Sequence, residues 1–399
     1  MPELANLEAR APRTAFLPFA PPWIGPEEKA EILDTLDSGW LTTGPKTEQF
    51  QQRLAAYIGA GCAVAVNSCT AALHVAVIAH GIGEGDEVIL PTYTFASTAH
   101  VVMYQRARPV FVDIEAETYN MDPDLIEAAI TPKTKAILLV HYAGHPCELD
   151  AVYDIAQRHG LAVIEDAAHA IGSEYRGRKI GSFGPTTCFS FYATKNLTTG
   201  EGGMAVLNDP DLAERMRVLG MYGISDARKI WGRYAPRGSW FYDIEALGYK
   251  YNMMDLQAAL GLHQLAKLDR FIERRARIAA LYTEAFADLD ALATPAVRPD
   301  VRHAWHLYTL LLRPERMTID RDRFIEELTA EQIGTSVLFR PLHLHSYYRE
   351  ALGYPEGRFP VSEDVFGGAV SLPLSPKMSD EDVLDVIAAV RRVVGKHHA

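Results

Sequence analysis

Hydrophobic and polar positions follow two rhythms along this chain. From about residue 25 to 208, short apolar, β-rich runs at 62–66, 87–90, 109–113, 135–141, 161–165, 188–192 and 204–207 recur. Between most of them lie stretches at 71–80, 96–105, 123–130 and 149–159 with amphipathic, helical patterning. Strands alternating with helices at this spacing predict βαβ units, hence an α/β fold with a mostly parallel central sheet and helices on both faces. The near-continuous apolar run 136–140 suits a strand buried on both sides. After Tyr251 the texture changes. A charged helical stretch over 255–286 precedes Pro295, Pro299 and a mixed β/α region. This pattern predicts a long helix bridging a large unit, residues 16–265, and a smaller C-terminal α/β unit, residues 266–399.

Length agrees with that division, because one core rarely grows much past ~250–300 residues and this chain has 399. Hydrophobic residues at 48% and charged residues at 23% describe a compact folded protein rather than a disordered one. The net charge of −12 weighs against a nucleic-acid partner or an anionic membrane surface, while leaving room for a local basic pocket. Cys62, Cys69, Cys147 and Cys188 contain no Cys-x-x-Cys pair, so a zinc ribbon or other metal site is not expected, and their scarcity fits a reducing, cytoplasmic setting. The first 14 residues carry Glu3 and Glu8 without the apolar stretch of a secretory signal, and no apolar run of ~18 residues predicts membrane insertion. His397 and His398 read as a disordered end without a role.

Candidate chemistry concentrates between residues 163 and 203. Val163-Ile164-Glu165-Asp166-Ala167-Ala168-His169-Ala170 sets two carboxylates at the carboxyl end of a buried strand, the edge where open α/β sheets bind ligands. Phe189-Ser190-Phe191-Tyr192-Ala193-Thr194-Lys195-Asn196 runs from a strand into a loop that presents one lysine, before the glycine-rich turn Thr199-Gly200-Glu201-Gly202-Gly203. A lysine beside a bound aldehyde cofactor forms a Schiff base and shuttles protons. A neighbouring carboxylate holds the cofactor's pyridine nitrogen protonated, which makes the ring an electron sink. Taken singly, Asp166 reads as a helix cap and Lys195 as a solvated cation. A second junction tips the balance: Asn67-Ser68-Cys69-Thr70 closes a strand and opens a helix, and a helix N-terminus favours an anion such as phosphate. Alone it too reads as a plain N-cap. Ser190 offers that anion another hydroxyl, and Phe95, after the strand at 87–90, offers either a stacking face for a flat ring or ordinary core packing.

In this order the residues resemble the DegT/DnrJ/EryC1/StrS family of sugar aminotransferases, within the fold-type I group of pyridoxal-phosphate enzymes. Ser38-Gly39-Trp40-Leu41-Thr42-Thr43-Gly44-Pro45, Gly83-Glu84-Gly85-Asp86-Glu87-Val88, Glu165-Asp166-Ala167-Ala168-His169 and Gly248-Tyr249-Lys250-Tyr251-Asn252 carry the likeness over roughly residues 16–394. His141-Tyr142-Ala143-Gly144, His169 and His303-Ala304-Trp305-His306-Leu307 look like members that aminate a UDP-linked 4-keto-pentose. The resemblance implies pyridoxal 5'-phosphate, with pyridoxamine 5'-phosphate as its alternate form, bound covalently by Lys195 and paired through its ring nitrogen with Asp166. It implies that Phe95 stacks on the ring, where the pentose-acting members carry Trp, and that Cys69, Thr70 and Ser190 hold the phosphate. Asn252 would reach that phosphate from the other subunit of a homodimer with shared sites. His169, where many members carry Gln, is placed near the ring hydroxyl or the substrate. Thr42 and Thr43 become sugar contacts by resemblance alone. Arg340 and His343 are candidates for the substrate diphosphate or the donor's carboxylate, and Arg340 equally for a surface salt bridge. The expected substrates are a nucleotide-linked keto sugar and an amino-acid donor such as L-glutamate. A minority branch of the family carries His at the lysine position and dehydrates sugars, so Lys195 supports amino transfer.

Overall fold

A computed structural model describes residues 10–224 and 242–399. The acidic positions Glu3 and Glu8 lie outside the described residues. Two helices open the fold, α1 (Pro26–Asp37) and α2 (Pro45–Ile58), each entered through glycine and proline, whose missing N–H costs nothing at a first helical turn. The alternating region then gives β1 (Cys62–Val66), α3 (Cys69–Ala79), β2 (Glu87–Pro91), α4 (Ala96–Tyr104), β3 (Arg108–Val112), the short α5 (Ile126–Ala129), β4 (Thr134–Val140), α6 (Leu149–His159) and β5 (Ala162–Asp166). A small ribbon, β6 (Glu174–Tyr175) and β7 (Arg178–Lys179), leads to β8 (Thr186–Ser190), β9 (Gly203–Leu207) and α7 (Pro210–Gly220).

Seven strands form one sheet in the order β1-β9-β8-β5-β4-β2-β3. β9 pairs antiparallel with both of its neighbours, and the other pairings are parallel. Alternating side chains divide between two apolar layers. Ile137, Leu139, Val163 and Phe189 point to one layer, whereas Ala136, Leu138, Ile164 and Cys188 point to the other. The strand expected at 188–192 is displaced to Thr186–Ser190. Phe191 and Tyr192 are apolar enough to read as strand, but they belong to the turn that delivers Lys195. The helical stretch at 123–130 is broken into a 3₁₀ turn followed by α5.

The long helix α8 (Asp255–Phe286) runs through both halves of the protein. Ala258, Leu262, Leu268 and Ile272 pack with the large sheet, while Ile278 to Phe286 pack with a separate C-terminal core. That core surrounds the antiparallel sheet β10-β12-β13, formed by β10 (Leu292–Ala293), β12 (Tyr308–Leu312) and β13 (Ala369–Leu372); β11 (Val301–Arg302) joins the β6–β7 ribbon instead. Helices α9 (Arg321–Ala330), α10 (Ser346–Leu352), α11 (Pro360–Gly368) and α12 (Asp380–His397) complete the chain. Leu17, expected at the opening of the large unit, packs in the C-terminal core and bridges to Ile333. His397 ends α12 and His398 bonds Asp290 at 2.7 Å, so the expected disordered end is a capped helix. Among the described residues no helix is long and apolar enough to cross a membrane.

Candidate active site

Adjacent residues of a strand face opposite sides, and β5 uses that alternation to separate its two carboxylates. Glu165 turns toward α6, where it accepts hydrogen bonds from the Tyr153 hydroxyl, Thr187 Oγ1 at 2.9 Å and His141 Nε2 at 3.2 Å. His141 Nδ1 accepts from the Cys147 N–H, which leaves its proton on Nε2. Asp166 turns toward α3 and α4. It accepts from Thr98 Oγ1 at 2.8 Å and from the Ala168 N–H at 3.1 Å, with the Cys69 thiol 4.0 Å away. Burial raises the Asp166 pKa, and the bonds from Thr98 and Ala168 and the charge of Lys195 pull it back. This buried carboxylate therefore has neutral donors and one nearby cation.

That cation follows β8. The chain turns back after Ser190, with the Lys195 N–H donating to Tyr192 O at 2.9 Å. Lys195 is half-buried, and the loss of water around its ammonium lowers its pKa to about 8 against the attraction of Asp166. At α3, Ser68 accepts from the Ala71 N–H at 3.1 Å and caps the helix. The first-turn N–H groups of Cys69 and Thr70 have no intrahelical acceptor, so they are available to an anion. Gly203 of β9 lies so close that a Cβ would sit 2.4 Å from the Ser68 carbonyl carbon, which only glycine avoids.

These elements enclose a cavity of about 470 Å³. Of the residues singled out in the sequence, Cys69, Thr70, Phe95, Asp166, His169, Ser190 and Lys195 all line it. Phe95 is 60% exposed and stands 6.0 Å from Phe339 across the opening. The Cys69 side chain is turned toward Asp166 and Cys188 O, so an anion at α3 would meet its N–H rather than its thiol. Five candidates lie elsewhere. Thr43 and Asn252 bond each other at 2.6 Å and line a second cavity of about 850 Å³, and Thr42 is exposed beside them. His343 is fully buried, with Nδ1 on Thr92 at 2.8 Å and Nε2 on Glu363 at 2.9 Å, outside the lining of the cavity around Lys195. Arg340 is exposed, reaches Leu344 O at 2.9 Å and forms no salt bridge among the described residues.

Sequence reasoning missed Thr98 and Phe339, and quoted His306 only within a family likeness, without a role in the site. Thr98 lies three residues after Phe95, one helical turn along, a spacing that could have marked it. The other two come from the C-terminal half, and nothing local announces that they meet Lys195.

The DegT/DnrJ/EryC1/StrS aminotransferase family model matches residues 22–391. The chain belongs to this family. Spore coat polysaccharide biosynthesis protein SpsC of Bacillus subtilis is 52% identical over 383 residues, covering 96% of this chain and 98% of SpsC. Spr1654 from Streptococcus pneumoniae, solved in PLP and PMP forms, superposes in its PMP form with a TM-score of 0.89 at 36% identity, over 95% of this chain and 99% of that one. The sugar aminotransferase CalS13 from Micromonospora echinospora gives 0.84 at 30% identity, over 94% and 99%. Family membership makes this a pyridoxal-phosphate-dependent aminotransferase of fold type I. The residues present fit that cofactor. A buried carboxylate awaits a cationic ring nitrogen, an aromatic face borders the cavity, and a helix N-terminus stands ready for the phosphate.

Proposed function

We propose that this sugar aminotransferase moves an amino group from an amino acid, L-glutamate, to the 4-keto carbon of a nucleotide-linked sugar, a UDP-4-keto-pentose. The observation that carries the reading is Lys195 beside Asp166: an amine whose pKa of about 8 lets it hold or release a proton near neutral pH. Bound here, pyridoxal 5'-phosphate supplies the carbonyl that carries the amino group between substrates and the ring that accepts the electron pair. Asp166 holds the proton on the ring nitrogen. Thr98 and Ala168 orient that carboxylate, and Phe95 covers one ring face. Cys69 and Thr70, through their N–H groups, and Ser190, through its hydroxyl, hold the phosphate. Lys195 Nζ takes the proton from the donor's Cα and later returns one to C4 of the sugar. His169, whose pKa burial holds well below the usual value, stays neutral beside it.

The pairing of Thr43 with Asn252 away from Lys195 supports a homodimer in which Asn252 serves the partner's phosphate site and Thr42 and Thr43 face the partner's sugar. Arg340, exposed and free of carboxylate partners among the described residues, remains the candidate for a diphosphate or donor carboxylate. In this reading residues 16–265 chiefly carry the cofactor, residues 266–399 wall the substrate, and the reaction proceeds in the cytoplasm. The test is a panel of UDP- and dTDP-linked 4-keto and 3-keto sugars with L-glutamate, scored by 2-oxoglutarate release and by mass of the amino sugar. Amination of the UDP-4-keto-pentose with the highest kcat/KM is expected. Preference for a 6-deoxy or 3-keto sugar overturns the substrate assignment, and binding without turnover leaves a sugar-nucleotide-binding regulator.

A further inference from the structure

Two imidazoles in contact form one side of the cavity: His169 and His306, with ring centroids 4.3 Å apart and planes inclined at 41°. The protein uses one nitrogen of each ring, in opposite senses. His169 Nδ1 receives the Ala143 N–H at 3.2 Å, and a backbone amide can only donate, so this nitrogen is unprotonated and the proton sits on Nε2. His306 Nδ1 lies 3.3 Å from Asn196 Oδ1. The orientation of that amide is set at its other end, where Asn196 Nδ2 donates to Ala304 O at 2.7 Å; a flipped amide would press oxygen on oxygen. Asn196 Oδ1 accepts, so His306 Nδ1 carries the proton and Nε2 keeps a lone pair. Arg275 fixes the turn bearing His306 by donating to the carbonyls of Trp305, His306 and Leu374. Burial and the charge of Lys195 keep both rings neutral. No protein group engages either Nε2 among the described residues. The cavity is therefore offered an N–H donor by His169 and a bare acceptor by His306.

We propose that His306 is a specificity-determining residue for the acceptor sugar, its Nε2 receiving a hydrogen bond from a sugar hydroxyl next to the keto carbon. The chemistry separates the two substrates. A donor amino acid commits its amino group, its only hydrogen-bond donor in the case of glutamate, to the transfer itself; its carboxylates have lone pairs and no proton at neutral pH and gain nothing from an acceptor. A sugar brings hydroxyls, which donate. The inference rests on the sugar-aminotransferase reading and not on which nucleotide or pentose is used.

The test compares half-reactions, since in a ping-pong cycle kcat/KM for each substrate reports its own half. His306→Phe keeps an aromatic ring against His169 but removes the acceptor. kcat/KM for the preferred keto sugar should fall about 10- to 100-fold, the range for an unpartnered buried hydroxyl, with less than about a threefold change for the amino donor. His306→Gln, whose carbonyl can reach the same place, should recover part of the loss, and a substrate analogue lacking the hydroxyl should erase the difference between wild type and His306→Phe. Equal losses in both half-reactions, or full rescue by the Phe ring, overturn the proposal. Nitrogen-15 ring shifts of the wild-type, cofactor-free protein test the basis separately and need no substrate. They should show His306 protonated on Nδ1 and His169 on Nε2; the same tautomer in both rings overturns the inference even if every panel sugar is turned over. The expected tautomers, found in a protein that aminates no panel sugar, would show instead that the substrate assignment had failed.

Discussion

Replacing Asp166 by asparagine isolates what a buried charge contributes at this site. The side chain keeps its shape: its one oxygen can still accept from the Ala168 N–H, now 3.1 Å from the carboxylate, while its new amide nitrogen faces Thr98 Oγ1, now at 2.8 Å, and can donate to that hydroxyl. What disappears is one negative charge in a fully protein-lined position. Two unit charges about 4 Å apart attract by about 4 kcal/mol at an effective dielectric of ~20. If at least two-thirds of that is expressed in the transition state, the barrier rises by about 2.7 kcal/mol or more, so kcat falls at least ~10²-fold and at most ~10³-fold. Rapid-mixing absorbance should show the fall in both half-reactions, because the ring nitrogen serves both. Equilibrium dialysis would separate loss of cofactor from loss of rate. The same substitution removes the main attraction that raises the Lys195 pKa, which should drop below about 8. Near-normal kinetics with full cofactor occupancy would show that the ring nitrogen is not held by Asp166.

Lys195→Ala should abolish turnover while the protein still folds and binds the cofactor non-covalently; retained steady-state transamination refutes its assignment. Lys195 also makes stability depend on pH. Between about pH 8 and the ordinary lysine value near 10.5, the unfolded chain binds a proton that folded Lys195 has released, so stability rises with pH by up to about 1.4 kcal/mol per unit. Urea melts of the cofactor-free wild type and Lys195→Met should differ in that slope, and parallel curves would refute the depressed pKa. Mixing Lys195→Ala with Asn252→Ala chains should restore up to half of wild-type activity per hybrid dimer, since one site receives both intact residues. No recovery in confirmed hybrids, with the Asn252→Ala parent impaired, rules out shared sites. Asp255, almost fully buried, accepts from the N–H groups of Gly44, Lys46 and Thr47 and from Thr47 Oγ1; Asp255→Ala should cost roughly 3 kcal/mol in thermal or urea unfolding, and a cost below ~1 kcal/mol would show that these donors find other partners.

Periodicity and local chemistry determined much of this protein from sequence alone. The strand at 62–66 and the helices at 149–159 and 255–286 matched the structure residue for residue, because the apolar periodicity of each runs its whole length, with Gly160 closing the first of the two helices. Asp166, Lys195, Ser190 and the α3 N-terminus were legible for a related reason: each lies at or just past the carboxyl end of β1, β5 or β8, strands that run in one direction, and chain topology sends those ends to one edge. Tertiary structure decided what depended on partners distant in sequence. The side of β5 that carries Asp166 to Thr98 and Glu165 to His141 follows from the facing of the whole sheet. His343 turned out to brace Thr92 against Glu363 because residues 251 and 20 positions away close around it. The opposed tautomers of His169 and His306 exist only because Ala143 donates to one ring and Asn196 accepts from the other, across separations of 26 and 110 residues. A proton's position on an imidazole is set by whatever faces its other nitrogen, and that contact is made only when the chain has folded.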